Sequence, residues 1–228
     1  MPLRAITLDV YSALFDIITG LAGAVADLFS HRGLRDDPLA VARLWRQKHM
    51  EYLLVSNSLD REAALNRRAI EASARYALRR LEPPLTSPEM VPLVRAWERL
   101  PAWPEAGDAL REIRRRPLTL ATLSNGDEGM LRALLATLPV SFDAIISTEG
   151  GKFKPHPSIY HKALESLEVR SEELLHVAGS PTDAMGATAA GIRTVWINRA
   201  TDNVADDRLA PAQELPDLAG LPALIDAS

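Results

Sequence analysis

At 228 residues the chain can build one good core, or a core carrying a second, smaller module. Its formal net charge of −4 offers none of the clustered basic surface that nucleic-acid phosphates call for, and 47 % hydrophobic with 25 % charged residues is the make-up of an ordinary water-soluble globular protein. The absence of cysteine excludes a disulfide framework, a thiolate nucleophile and a thiolate metal site, and fits a reducing cytoplasm.

Residues 4–8, "RAITL", read as a short buried strand that stops abruptly at Asp9. No charged and apolar leader with a cleavage site is seen, and the longest apolar run, "IITGLAGAVA", is short, contains glycine and lies between Asp16 and Asp27. A soluble cytoplasmic protein without membrane contact is the expectation. From about Leu21 to Trp97 helical signals follow one another with no convincing strand. Asp36–Asp37–Pro38 supplies a cap and a first-turn proline for "LAVARLWRQKHMEYLLV". Asp60 stands before "REAALNRRAIEASARYALRRL"; "EPPLTSPEM" then ends that helix and opens another, with Ser87 as cap and Pro88 behind it. After "LPAWPEA", strand-like runs at 118–123, 144–146, 174–178 and 194–197 alternate with helical patterns at about Glu105–Arg115, Asp127–Leu138, Ser158–Leu167 and Asp183–Ala190. The tail reads as a loop and a short helix. The basic runs Arg79–Arg80 and Arg114–Arg116 fall at helix ends, where dipole pairing and solvation account for them.

Repeated strand–helix units predict an α/β fold with a parallel sheet covered on both faces. The first strand belongs to that sheet but is separated from it by the helical stretch. The expected organisation is a discontinuous core, residues 1–15 and 100–228, with a helical cap, residues 16–99, inserted after the first strand. In open α/β sheets ligands bind beyond the carboxyl ends of the strands. There the sequence places Asp9, then Ser124–Asn125–Gly126, then Lys154–Pro155, then Ser180, Thr182 and Asp183. Singly, Asp9 reads as a turn former, Ser124 and Asp183 as helix caps and Lys154 as a surface residue. Together they bring two carboxylates, a lysine and a hydroxyl–amide pair to one rim. No two of His49, His156 and His176 have metal-ligand spacing; His156 lies between prolines at a helix start, and His176, inside a strand, reads as a satisfied core histidine. The four tryptophans read as core or interface residues.

This order, a strand-ending Asp, a Ser, a Lys before Pro and a late Asp, resembles the haloacid dehalogenase superfamily over nearly the whole chain, which implies a Rossmann-like core with an inserted cap. Tyr11 two residues after Asp9, with "LWRQKHMEY", "LSNG", "FKPHPSIY" and "VWINR", is similar to the L-2-haloacid dehalogenase branch. Phosphatase members carry a second aspartate where Tyr11 stands, to protonate a leaving alcohol. Halide leaves as a stable anion and needs no such acid. The carboxylate that phosphatases often add beside the fourth strand for Mg²⁺ is replaced by Ala178 and Gly179. The resemblance therefore implies a hydrolase that cleaves carbon–halogen bonds of short 2-haloacids without metal or other cofactor. Asp9 is the implied nucleophile, Lys154 offsets its charge, and Asp183 orients or deprotonates the water that cleaves the ester. Ser124 and Asn125, with nearby backbone N–H groups, are implied to anchor the substrate carboxylate, and Ser180 is a further implied substrate-binding residue. Arg46 is implied to receive halide beside an apolar wall that includes Tyr11. An arginine beside Trp45 also has a plain packing reading. A small-molecule carboxylate is the expected partner, and a homodimer is an assembly often found in this branch.

Departures keep two alternatives open. After Tyr11 the branch has Gly-Thr, whose hydroxyl supports the nucleophile; here the pair is Ser12–Ala13, and in an extended segment Ser12 points to the other side. Near Asp183 the branch's serine, asparagine and aromatic are Ala178, Ser180 and Thr182, and a missing hydrogen bond to a charged carboxylate is worth about 1.5–3 kcal/mol. The alternatives are a Mg²⁺-dependent phosphatase acting on a small phosphate ester, and a catalytically weak relative that binds a small carboxylate or a protein.

Overall fold

The computed structural model of the chain describes residues 2–59 and 65–227. Six strands form one sheet: β1 Ala5–Leu8, β2 Thr119–Ser124, β3 Ala144–Ser147, β4 Leu174–Ala178, β5 Arg193–Ile197 and β6 Gln213–Leu215. Their order is β3-β2-β1-β4-β5-β6, with every pairing parallel. This is the doubly wound α/β arrangement, and its strand order reverses beside β1. All four residues of β1 are buried, as a central parallel strand requires, because helices cover both of its faces.

Alternate strand residues feed two separate cores. Ile6, Leu8, Leu120, Leu175 and Val177 pack with α5 (Ala106–Arg114), α6 (Glu128–Leu135) and α9 (Leu221–Asp226). Ala5, Leu123, Ile146 and Leu174 pack with α7 (Pro157–Leu167) and α8 (Pro181–Ala189). Each fully buried Leu or Ile in these cores contributes roughly 1.5–3 kcal/mol.

Between β1 and β2 lie α1 (Ile17–Arg32), α2 (Pro38–Ser58), α3 (Asn66–Ala77) and α4 (Ser87–Ala96), with α2 against α1 and α3, and α4 against α1 and α3. Asp16 caps α1 through the Thr19 N–H, and Gly33, at φ 69°, ends it in the left-handed region where glycine carries no Cβ penalty. Asp37 caps α2 ahead of Pro38, as the sequence predicts. The expected opening of the third helix at Asp60 lies outside the described residues. At α4 the expected cap moves by one residue: Thr86 is the cap, its N–H and hydroxyl both donating to Glu89, and Ser87 is the first helical residue. The reciprocal Thr-x-x-Glu box outcompetes a lone serine at this end. The inserted helices leave and rejoin the sheet through adjacent segments, where Phe15 and Ala102 form an antiparallel bridge.

The tail differs from expectation by one element. Strand β6 pairs with β5 before the short α9. "QEL" carries no apolar alternation, and it is backbone pairing to an open sheet edge that makes it a strand. Arg114, Arg115 and Arg116 pair with Asp143, Glu112 and Asp226, which leaves this basic run neutralised. No helix among the described residues is long and apolar enough to cross a membrane.

Candidate active site

β1 delivers Asp9 to the sheet rim, with its backbone N–H donating to Val177 of the neighbouring β4. The chain then turns through a single π-helical turn, Val10–Leu14, whose first free N–H, that of Ser12, donates to Asp9 Oδ2 at 3.0 Å. The expectation that Ser12 lies in an extended segment and points away is therefore corrected. Helical winding brings its amide under the carboxylate and its hydroxyl within 3.4 Å of Arg46 Nη2. Gly179 makes the turn possible: a Cβ there would sit 2.3 Å from the Ala13 nitrogen. The same contact explains why no carboxylate stands at this end of β4, since any side chain at 179 would displace the nucleophile's own turn.

Lys154 lies at the centre of the rim. Its Nζ donates to Asp9 Oδ1 at 2.9 Å, to Asp183 Oδ2 at 2.8 Å and to the Leu123 carbonyl at 2.8 Å. Three acceptors use all three protons of an ammonium, so the group is a cation with no proton to spare. Burial opposes that charge, but the two carboxylates outweigh it and leave the Lys154 pKa raised. All three side chains are buried. Asp183 sits in the first turn of α8; its Oδ1 accepts from the Tyr160 hydroxyl at 2.8 Å, and its Oδ2 lies 3.1 Å from His176 Nε2. Burial pushes the Asp183 carboxyl up, while Lys154 and then His176 pull it down further, to below the usual carboxylate range. Burial and the Asp183 charge hold the Tyr160 phenol protonated, so it acts as the donor.

The expected substrate-side residues have mixed placements. Ser124 Oγ donates to Asp9 Oδ1 at 3.3 Å and is fully buried, so it faces the nucleophile. Asn125 accepts the Lys154 backbone N–H at 2.7 Å through its Oδ1, pinning the lysine loop to the end of β2. Ser180 is the cap of α8: its hydroxyl accepts the Asp183 N–H at 3.3 Å and meets Thr182 Oγ1 at 3.2 Å. Tyr11 is buried with its hydroxyl unpaired and its ring edge-on to Trp97 at 5.4 Å; burial raises its pKa, keeping it a neutral phenol. A divalent cation entering here would meet Asp9 and Asp183 with an ammonium already bridging them. Among the described residues no group of three or more His, Asp or Glu is arranged to hold a metal.

Arg46 reaches the rim from α2, with its guanidinium 5.9 Å from the Trp97 ring centroid. Its Nη1 lies 2.9 Å from His49 Nδ1, and His49 Nε2 lies 2.8 Å from Asn66 Oδ1. Since arginine can only donate, His49 Nδ1 is the acceptor and Nε2 carries the proton. Burial, and then the Arg46 charge, push the His49 pKa down to about 3. An unfolded histidine takes up a proton below about pH 6.5 while the folded one does not, so stability is full above that pH. It falls as pH drops toward 3, by up to about 1.4 kcal/mol per unit. His49→Gln is expected to flatten the dependence of the melting temperature on pH between 6.5 and 4. Superimposable wild-type and variant profiles would refute this placement of the charge.

Two polar clamps tie the inserted helices to the rim. Asp127 opens α6 as the sequence predicts, and its side chain, free of that helix, accepts the N–H groups of Asn66 and Arg67 at the start of α3, at 2.6 and 3.1 Å. The Asn57 amide grips both the N–H and the carbonyl of Phe153, next to Lys154. Beside the rim a cavity of about 390 Å³ is lined by Ser12, Arg43, Arg46, Trp103, Gly179 and Arg199, a size suited to a small ligand. A larger hollow of about 760 Å³, lined by residues of α1 and α4, includes none of the rim residues.

Sequence reasoning missed Tyr160 and the reach of His176 to Asp183. The tyrosine falls within "FKPHPSIY", in the first turn of α7 just after the lysine, and its helical position facing the sheet was the available signal. His176 was correctly read as buried and satisfied, but its partner could not be read from its own strand.

The chain belongs to the haloacid dehalogenase-like hydrolases, whose family pattern matches residues 3–191. It is 33 % identical over 208 residues to the (S)-2-haloacid dehalogenase of Pseudomonas sp. strain YL, covering 90 % of this chain and 86 % of that one. A solved L-2-haloacid dehalogenase superposes with a TM-score of 0.88 at 29 % identity, covering 99 % and 100 % of the two chains. The L-2-haloacid dehalogenase of Xanthobacter autotrophicus with chloropropionic acid covalently bound gives 0.85 at 27 % identity, with 98 % of each chain covered.

Proposed function

We infer that this hydrolase cleaves the carbon–halogen bond of short 2-haloacids through an ester on Asp9, with no metal taking part and with the inserted helices acting as a cap over the site. The observation that carries the reading is the make-up of the rim: a carboxylate held by a fully committed ammonium, facing a neutral phenol where an alcohol-releasing enzyme needs an acid. In the first step an Asp9 oxygen attacks C2 opposite the halogen, and the bonding pair leaves with the halide. No proton moves. In the second step water attacks the Asp9 carboxyl carbon while Asp183 takes its proton. The bond between that carbon and the oxygen carrying the substrate's C2 breaks, Asp183 returns the proton to that oxygen, the 2-hydroxyacid leaves, and the Asp9 carboxyl sheds its remaining proton to solvent. Arg46, with Ser12 beside it, supplies positive charge for the departing anion, and Asn125 with nearby N–H groups supports the substrate carboxylate.

The relatives named above act on haloacids, and one carries chloropropionic acid as a covalent adduct, which supports the same chemistry for this chain. Chloride release from L-2-chloropropionate, measured beside p-nitrophenyl phosphate hydrolysis with Mg²⁺ or with EDTA, tests the reading. The expected result is chloride release that EDTA leaves unchanged. Mg²⁺-dependent phosphate release without chloride would replace it with a phosphatase, and silence in both assays from a folded protein would replace it with a binding protein.

A further inference from the structure

Beneath the rim, β1 and β4 set Thr7 directly opposite His176 in their parallel register, both without exposed surface. Thr7 Oγ1 lies 2.9 Å from His176 Nδ1, and His176 Nε2 lies 3.1 Å from Asp183 Oδ2. A polar pair inside an apolar sheet layer is costly unless each group is satisfied. For a neutral ring one arrangement satisfies everything: the Thr7 hydroxyl donates to Nδ1, and Nε2–H donates to the carboxylate. The opposite tautomer would aim a bare nitrogen lone pair at a carboxylate oxygen. Thr7 therefore sets the tautomer, and the imidazole delivers a directed N–H to Asp183 from below.

On the rim itself this support is thin. Ala178 has no side-chain donor, and the Ser180 hydroxyl is taken up with the Asp183 backbone. The groups that face the Asp183 carboxylate are Lys154, Tyr160 and His176, with Asp9 on the far side of the ammonium. Lys154 and His176 both hold Oδ2, which leaves Oδ1, carrying the Tyr160 bond, as the oxygen with room for a water.

We propose that His176 is a positioning residue for ester hydrolysis: through the Thr7–His176–Asp183 chain it orients the carboxylate that takes the proton of the attacking water. This rests on the dehalogenase reading, and it assigns His176 to the second half-reaction alone.

The amide of Asn reaches about as far as Nδ1 and that of Gln about as far as Nε2, so the two substitutions separate the bonds. With L-2-chloropropionate under rapid quench, His176→Asn is expected to release about one equivalent of chloride per chain at the wild-type rate. It should then turn over about 10- to 100-fold more slowly, with the adduct on the Asp9 peptide building up by mass spectrometry. His176→Gln should recover most of the loss, and the acid limb of kcat in His176→Asn should move to higher pH. Thr7→Val, nearly the same shape, should show a smaller change of the same kind and serves if His176→Asn does not fold. Equal slowing of both steps in a cooperatively folding variant, or wild-type turnover without adduct, overturns the assignment. Wild-type protein that releases no chloride at all overturns the dehalogenase reading itself, and this proposal with it.

Discussion

Asp9→Asn is expected to lower chloride release from L-2-chloropropionate by about 10⁴-fold or more, since an amide oxygen is a far weaker nucleophile than a carboxylate. The folded state should survive. The amide keeps the shape of the carboxylate, but it must turn its NH₂ toward either the Ser12 N–H or the Lys154 ammonium, both of which now donate to Asp9. One donor facing a donor costs about 1–3 kcal/mol, a few degrees of melting temperature for a chain this size. Activity and stability are thus predicted to separate widely. Retained chloride release in a folded Asp9→Asn protein would remove Asp9 from the chemistry.

Lys154→Met should have the larger effect on folding. It leaves Asp9, Asp183 and the Leu123 carbonyl facing one another around an apolar side chain, in a site that water hardly reaches. Removing one partner of a buried ionic cluster typically costs about 3–5 kcal/mol. Halide release should be lost as well, since the nucleophile loses its counter-charge. The pH dependence should reverse. In the wild type the Asp183 pKa lies below its ordinary value, so its contribution is full above about pH 4 and fades as pH falls through the folded value. In Lys154→Met one carboxyl must bind a proton to fold, so stability should instead rise as pH falls from 7 toward 5. Lys154→Arg is not expected to rescue, because a planar fork cannot direct donors to three acceptors around one point. Urea unfolding of both variants across that pH range tests this, and an unchanged midpoint for Lys154→Met would refute the role given to the ammonium.

The convergence of Asp9, Lys154 and Asp183 was legible because strand ends in a parallel sheet share one rim, and the elements' order and periodicity are local properties. The same holds for the helix start at Asp37, where the cap and its partner lie within a turn of each other. What escaped depends on pairings between distant segments. Thr7 and His176 are 169 residues apart, and the strand register alone makes them partners. Asp127 marks the start of α6, but that its side chain accepts from α3, 61 residues earlier in the chain, is visible only in the fold. Ser12 changed its role because the chain after Asp9 winds rather than extends, a conformation that the bare backbone of Gly179 leaves room for.

The sequence by itself thus determined the alternation of elements, the helical insertion and the identity of the charged residues at the strand ends. Only the tertiary structure decided which hydrogen bonds those charges receive. A buried charge is stabilised by whichever donors packing brings within about 3 Å of it, and packing joins residues without regard to their distance along the chain.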